Sequence, residues 1–266
     1  MSETSVKGNP VGSLSGRSVL ITGAGSGIGE ATALLFAERQ ARVAVLDVDR
    51  VRAERVADTI VRAGGEALAI QADAGVEGDM KRALDEAASR YGSLDVLINN
   101  AAVQIMGPLH ECTEEQFESM IRVNVKGMFF GCKFALPLMM EQRRGVILSV
   151  SSVLGVVGDP DLAVYGATKG AMIAMTKSIA VAYGPHGIRA NCVCPGDVNT
   201  PMVKQYFDYQ PDPAEARAQV NRHYPLGRIA QPEEVARTLA FLASEEASFV
   251  TGSPIFVDGG LLSSVY

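Results

Sequence analysis

The chain has 266 residues, 47% apolar and 20% charged, a globular balance that excludes disorder of the whole chain. Lys and Arg number 24 against 30 Asp and Glu, so the net charge is −6. Without a clustered basic tract such a chain is a poor polyanion binder, and nucleic acid is set aside as a partner. No uncharged apolar run reaches the roughly 18 residues of a membrane span. The longest candidate, Met128 to Met140, is cut by Lys133. Residues 1–14 lack a signal peptide's apolar core and are expected to form a mobile tail. Residues 15–266 then make a single domain. Cys112, Cys132, Cys192 and Cys194 form no CxxC and the histidines are scattered, so no metal spacing is present and a reducing, cytoplasmic setting is expected. Cys192 and Cys194 alternate on one strand and read as small hydrophobes facing one side.

In chain order, short apolar runs predict strands at Ser18–Thr22, Arg42–Leu46, Glu66–Ile70, Val96–Ile98, Val146–Val150, Arg189–Val193 and Ile255–Val257. Helical patterns lie between them, near 28–39, 50–63, 77–91, 113–140, 163–183 and 232–243. Thr113 with Gln116 resembles a capping box, and Gln231-Pro232-Glu233-Glu234 places Pro and acids in a first turn. This alternation predicts an α/β fold: a single-domain, Rossmann-type, doubly wound parallel sheet of about seven strands with helices on both faces. The segment 197–228 holds four prolines and the aromatics Tyr206, Phe207 and Tyr209; it reads as an irregular lid that closes over a ligand.

The turn Thr22-Gly23-Ala24-Gly25-Ser26-Gly27-Ile28-Gly29 follows the first strand and opens the first helix. Glycines let the backbone approach a ligand, and free N–H groups at a helix start suit a pyrophosphate. Leu46 ends the second strand and Asp47 follows, 18 residues after Gly29, close to the spacing of a ribose-binding acid. Its carboxylate accepts from two ribose hydroxyls and repels a 2′-phosphate, which favours NAD over NADP. Arg50 is the one nearby cation that tempers this reading.

Tyr165 and Lys169 sit four residues apart in a helical pattern, so they share a face. A lysine charge beside a phenol is expected to bring its pKa from about 10 toward neutrality, as a general acid/base requires. Ser151 and Ser152 close the fifth strand, at the sheet end where such folds bind ligands.

TGAGSGIG, Asn99-Asn100-Ala101-Ala102, Ser152, YGATK, and Pro195-Gly196 followed by Thr200 together resemble the short-chain dehydrogenase/reductase family, in order and from about Arg17 to Gly260. The resemblance implies a nicotinamide cofactor, a small-molecule alcohol or ketone as partner, and a homotetramer or dimer. It implies Tyr165 as acid/base, Ser152 polarising the substrate oxygen, and Lys169 on the nicotinamide ribose. Asn124 is implied to kink a long helix and complete a proton relay. Asp73 is implied to bond the adenine amino group beside Ala74, with Asn100 and Ala101 bordering the adenosine ribose. Pro195, Gly196, Val198 and Thr200 are implied to hold the carboxamide and diphosphate. Gly23, Ser26, Gly27, Ile28 and Gly29 form the phosphate turn. Two positions depart from the family's pattern: Ala102 stands for Gly, and Leu148-Ser149 stands where Asn is frequent.

The expected reaction is hydride transfer between NAD(H) and a secondary alcohol or ketone. The substrate is expected beside Gln104, Met106, Val153, Leu154, Asp159, Asp197, Met202, Tyr206 and Tyr209, with His110 and His223 as further candidates for the pocket edge. Three of these, Gln104, Asp159 and Asp197, can bond extra hydroxyls, which points to a sugar or other polyhydroxylated alcohol. One rival is a 3-oxoacyl-[acyl-carrier-protein] reductase using NADPH. That rival needs bases for its acidic carrier, and Val181 stands where one is frequent. The rival of another class is a non-catalytic NAD-binding sensor or scaffold.

Overall fold

The structure, a computed structural model, describes residues 12–208 and 210–263. Seven strands, β1 (Ser18–Thr22), β2 (Arg42–Asp47), β3 (Glu66–Gln71), β4 (Val96–Asn99), β5 (Gly145–Val150), β6 (Ile188–Pro195) and β7 (Pro254–Val257), form one sheet in the order β3-β2-β1-β4-β5-β6-β7. Every pair is parallel. β1, β4 and β5 are buried along their whole length, which is why they read as unbroken apolar runs. The strand order reverses between β1 and β4, and that switch point opens a crevice at the carboxyl ends of the strands.

Each face of the sheet has its own core. On one, Leu20, Leu46 and Leu97 pack with Met80 and Leu84 of α3 (Glu77–Tyr91) and Met128 and Met139 of α5 (Gly127–Gln142). Ile173 and Ile179 of α6 (Ala163–Tyr183) extend this core, and Cys192 and Cys194 lie in it, both fully buried on one side of β6. On the other, Val19, Ile21 and Val43 pack with Phe36 of α1 (Gly27–Glu38), Val56 of α2 (Arg50–Arg62) and Leu239 of α9 (Pro232–Ala243).

Three expectations change. The helical stretch 113–140 is not continuous: α4 (Glu114–Met120) passes into a π-helical segment, Ile121–Lys126, before α5. The residue at the centre, Asn124, turns its side chain to the loop after β4, and the widened turn accommodates that bond. The lid segment is not irregular: α7 (Pro201–Asp208) and α8 (Pro213–Arg222) both begin on a proline, where the missing N–H does no harm. Asp212 caps α8 by accepting from Ala214 N and Glu215 N at 3.0 Å. The tail is shorter than expected. Leu14 is buried and Gly12 N donates to Glu246, so the chain is anchored from residue 12; positions 1–11 lie outside the described residues. The capping box at Thr113 forms as read, and α9 begins on Pro232 with Glu233 and Glu234 in its first turn, Glu234 Oε2 accepting from Gln231 N at 2.8 Å.

Candidate active site

A cavity of about 970 Å³ lies over the carboxyl ends of the strands, within the size range of ligand sites. It is lined by Gly23, Ser26, Gly27, Ile28, Asp47, Asp73, Ala74, Asn100 and Ala101 at one end. Ser152, Tyr165, Lys169, Pro195, Gly196, Val198 and Thr200 line its middle. All of these were expected from sequence. Gly29 and Asn124 do not line it.

The glycine turn is locked to β4. Asn100 donates from Nδ2 to Thr22 O (2.9 Å) and Gly23 O (3.0 Å), while Asn100 N and Ala101 N donate to Thr22 Oγ1. A Cβ on Gly29 would stand 2.6 Å from that Asn100 nitrogen, so Gly29 acts in packing rather than at the cavity wall. Gly23 has φ +64, and a Cβ there would lie 2.9 Å from Ala101 Cα. Ser26 makes no side-chain cap on α1, so the first N–H groups of that helix stay free for an anion. Asp47 is buried, its carboxylate accepting from Gly25 N (2.9 Å) and Asp49 N (3.0 Å). Arg52 lines the cavity at this end and pairs with Asp49 at 3.1 Å. Arg50 turns away to Glu54 at 2.7 Å. Asp73 accepts from Arg122 Nη1 (2.6 Å) and Gly75 N (2.8 Å), so a bound adenine would meet an ion pair there rather than a lone carboxylate. The orphan donors of the helix start together with the Asp47 carboxylate fit a dinucleotide.

Tyr165 and Lys169 share one face of α6, and both are buried. The Lys169 ammonium stands 5.3 Å from the centroid of the Tyr165 ring, and Nζ donates to Val150 O at 2.8 Å. It lies over the ring rather than on the hydroxyl. Burial lowers the Lys169 pKa to about 8, partly offset by Cys192 and Cys194. Burial, then the Asp197 charge, raises that of Tyr165 above its ordinary value. The expected lowering of the phenol is therefore not found in this geometry: loss of solvent and the Asp197 charge raise it, and the lysine ammonium faces the ring rather than the hydroxyl. Ser152 Oγ accepts from Leu154 N at 3.1 Å and keeps its own proton for a ligand. Asn124 Oδ1 accepts from Val103 N (2.8 Å), while Nδ2 donates to Val103 O (2.9 Å) and Thr168 Oγ1 (3.0 Å). Its side chain ties the cavity wall to α6.

Gln104, Met106, Val153, Leu154, Asp159, Asp197, Met202 and Tyr206 all line the remaining end, and His223 joins them. His110 is exposed elsewhere, and Tyr209 lies outside the described residues. Phe207 faces away from the cavity, into a small core with Tyr224 and Ile229. Sequence reasoning missed Arg52, Arg122, Tyr224, Leu261 and Leu262, which line the cavity as well. Arg122 had a local signal, two residues ahead of Asn124; the two leucines had none, because a fold-back of the chain brings them in.

The profile described as "Enoyl-(Acyl carrier protein) reductase" matches residues 23–262. A cis-4-hydroxycyclohexanecarboxylate dehydrogenase from Sinomonas cyclohexanicum is 42% identical, covering 92% of this chain and 96% of that one. The crystal structure of a short-chain type dehydrogenase/reductase from Mycobacterium marinum superposes with a TM-score of 0.89 at 34% identity, covering 95% of this chain and 98% of that one. The chain belongs to the short-chain dehydrogenase/reductase family. A 3-ketoacyl-(acyl-carrier-protein) reductase from Brucella melitensis, crystallised with NADH, is 36% identical with a TM-score of 0.87, over 94% of this chain and 99% of that one.

As a short-chain dehydrogenase/reductase, the chain is an oxidoreductase that uses a nicotinamide cofactor. The departure at Ser149 falls in the buried core, where its hydroxyl lies 3.5 Å from Asn99 Nδ2.

Proposed function

We propose that the protein is an NAD-dependent dehydrogenase of secondary alcohols, reducing the matching ketones in reverse, and that its substrate is a sugar or other polyhydroxylated alcohol. The observation that carries this reading is one cavity joining the Asp47 end to the Tyr165 and Ser152 hydroxyls and ending in Gln104, Asp159 and Asp197. A bound nicotinamide supplies or accepts the hydride. Ser152 donates to the substrate oxygen and holds it beside Tyr165. Tyr165 takes the carbinol proton in oxidation and returns it in reduction. Its raised pKa favours the protonated phenol, the form that reduction needs, and oxidation proceeds best at alkaline pH. Lys169, beside Tyr165 on the cavity wall, would hold the ribose of a bound cofactor with its ammonium. Asp47 supports NAD: a 2′-phosphate would meet a buried carboxylate, and the adjacent Arg52 is already paired.

The acyl-carrier reading has the Brucella relative in its favour, and its NADH means that cofactor preference alone does not separate the two. Val181, where that rival frequently carries a base, is exposed and apolar and offers an acidic carrier no charge partner, which supports the alcohol reading. The four groups in the roles of acid/base, polarising hydroxyl, lysine and kink speak against a sensor without catalysis.

We also propose self-association through α4, α5 and α6. Phe117 and Phe129 are 43% and 47% exposed on α4 and α5, apolar area that a second copy would cover. The test of the main reading is a dehydrogenase screen over sugars, polyols, hydroxy acids and hydroxysteroids with NAD and NADP. Turnover of polyols with NAD supports it; turnover confined to acyl thioesters with NADPH overturns it.

A further inference from the structure

We infer that Asp197, clamped by Tyr224, selects the substrate by charge: the group beyond the reacting carbinol is a hydroxyl or ammonium, and anions are turned away. This rests on the dehydrogenase reading above and adds what it leaves open.

The clamp is built into the chain. Tyr224 is 4% exposed; its phenol oxygen accepts from Asp197 N at 2.6 Å and donates to Asp197 Oδ2 at 2.7 Å. One group thereby fixes both the backbone and the carboxylate of Asp197. A Cβ on Gly196 would stand 2.8 Å from the Tyr224 oxygen, so the glycine before Asp197 makes room for the clamp. Asp197 Oδ1 has no hydrogen-bond partner among the described residues, and Asp197 lines the cavity. Tyr165, 8% exposed, lines the same cavity, and its hydroxyl likewise has no partner among the described residues. The two acceptor positions bracket one ligand: the carbinol at Tyr165, a second polar group at Asp197.

The charges around that second group are uneven. Asp159 and Asp161 line this end with Asp197, against His223 as the opposing imidazole. The arginines and lysine of the cavity are placed elsewhere: Arg52 on Asp49, Arg122 on Asp73, and Lys169 against the Tyr165 ring. A carboxylate held out of bulk water accepts well from O–H or N⁺–H and repels another anion strongly, because the local dielectric is low.

The test compares four ring alcohols that differ only in the group opposite the carbinol: hydrogen, hydroxyl, ammonium or carboxylate. With NAD and the unmodified protein, kcat/KM is expected to be highest for the hydroxyl and ammonium compounds. The carboxylate compound is expected about tenfold or more below the hydroxyl compound. Asp197→Asn should close most of that gap. Tyr224→Phe, which frees the carboxylate, should raise KM for the hydroxyl compound more than for the unsubstituted alcohol, with kcat changed less than KM. If Asp197→Asn fails to fold, the order in the unmodified protein and the Tyr224→Phe split decide. Equal turnover of the carboxylate and hydroxyl compounds, or a ratio that Asp197→Asn leaves unchanged, overturns the inference while the dehydrogenase reading stands. Turnover of none of the four overturns both.

Discussion

The two ends of the cavity are built differently. At the cofactor end, the glycine turn, Asp47 and Asn100 sit at strand ends and are tied by short bonds to a core that is almost fully buried. At the substrate end, α7 buries Phe207 alone and α8 buries no side chain; their shared core is Phe207, Tyr224 and Ile229. A site that must bind one cofactor benefits from rigid strand ends, whereas a site that must admit and release substrate draws on the weakly packed end of the molecule. The α7–α8 lid is thus expected to exchange its amide hydrogens faster than α1, and to slow when cofactor and a polyol bind together. Equal protection of both regions without ligand would break the contrast.

The largest expected effect lies where the two ends meet. Tyr165→Phe keeps the ring and removes the ionisable oxygen, so kcat should fall by ~10²–10⁴-fold while NADH still binds. Near-normal turnover would remove Tyr165 from its role. Next is the cofactor end: Asp47→Ala should narrow the NAD-to-NADP ratio in kcat/KM roughly tenfold or more, through weaker NAD binding and lost repulsion of the 2′-phosphate. An unchanged ratio would remove Asp47 from the choice of cofactor.

Asn124→Ala tests the link between the ends. It deletes bonds to Val103 and Thr168 and leaves buried partners unsatisfied, so stability should fall by about 1–3 kcal/mol. For a chain of this size that is a few degrees or more in Tm. A change in activity with no change in Tm would assign Asn124 to chemistry instead.

The smallest effect is remote from both. Asp95 is 1% exposed beneath the sheet. Burial alone would raise its pKa, but bonds from Ser18 and Ser93 and the Arg144 charge at 3.0 Å outweigh that and lower it. A depressed folded-state value means the contribution is complete above the ordinary aspartate value of about 3.9 and is lost as pH falls through the folded one. Asp95→Asn should flatten the acid limb of a stability curve and leave the cofactor preference alone.

The sheet and the cofactor end were legible because each signal is local. Apolar runs give strands, the glycines follow one strand directly, and Asp47 closes the next. Tyr165 and Lys169 need only helical spacing. What spacing does not carry is solvent: it placed the lysine near the phenol but not that burial would lower the pKa of the one and raise that of the other. Nor does it carry fold-back. Tyr224 meets Asp197 across 27 positions, and Leu261 reaches the cavity because Gly259 and Gly260, at φ +56 and +87, turn the chain after β7. The proline-rich lid read as irregular, yet Pro201 and Pro213 stand at first helical positions and start helices. Asp197 itself was visible, beside Pro195-Gly196; the tyrosine that orients it was not.

The central claim is hydride transfer from a polyhydroxylated secondary alcohol to NAD at the Tyr165 site. Its most direct test uses a polyol carrying deuterium on the carbinol carbon, incubated with the unmodified protein and either NAD or NADP, with the reduced cofactor weighed by mass spectrometry. The account predicts one deuterium in NADH, formed faster than any NADPH, and a slowed rate relative to the undeuterated polyol when chemistry limits turnover. Reduced cofactor without the label, or label appearing in NADPH ahead of NADH, would contradict it.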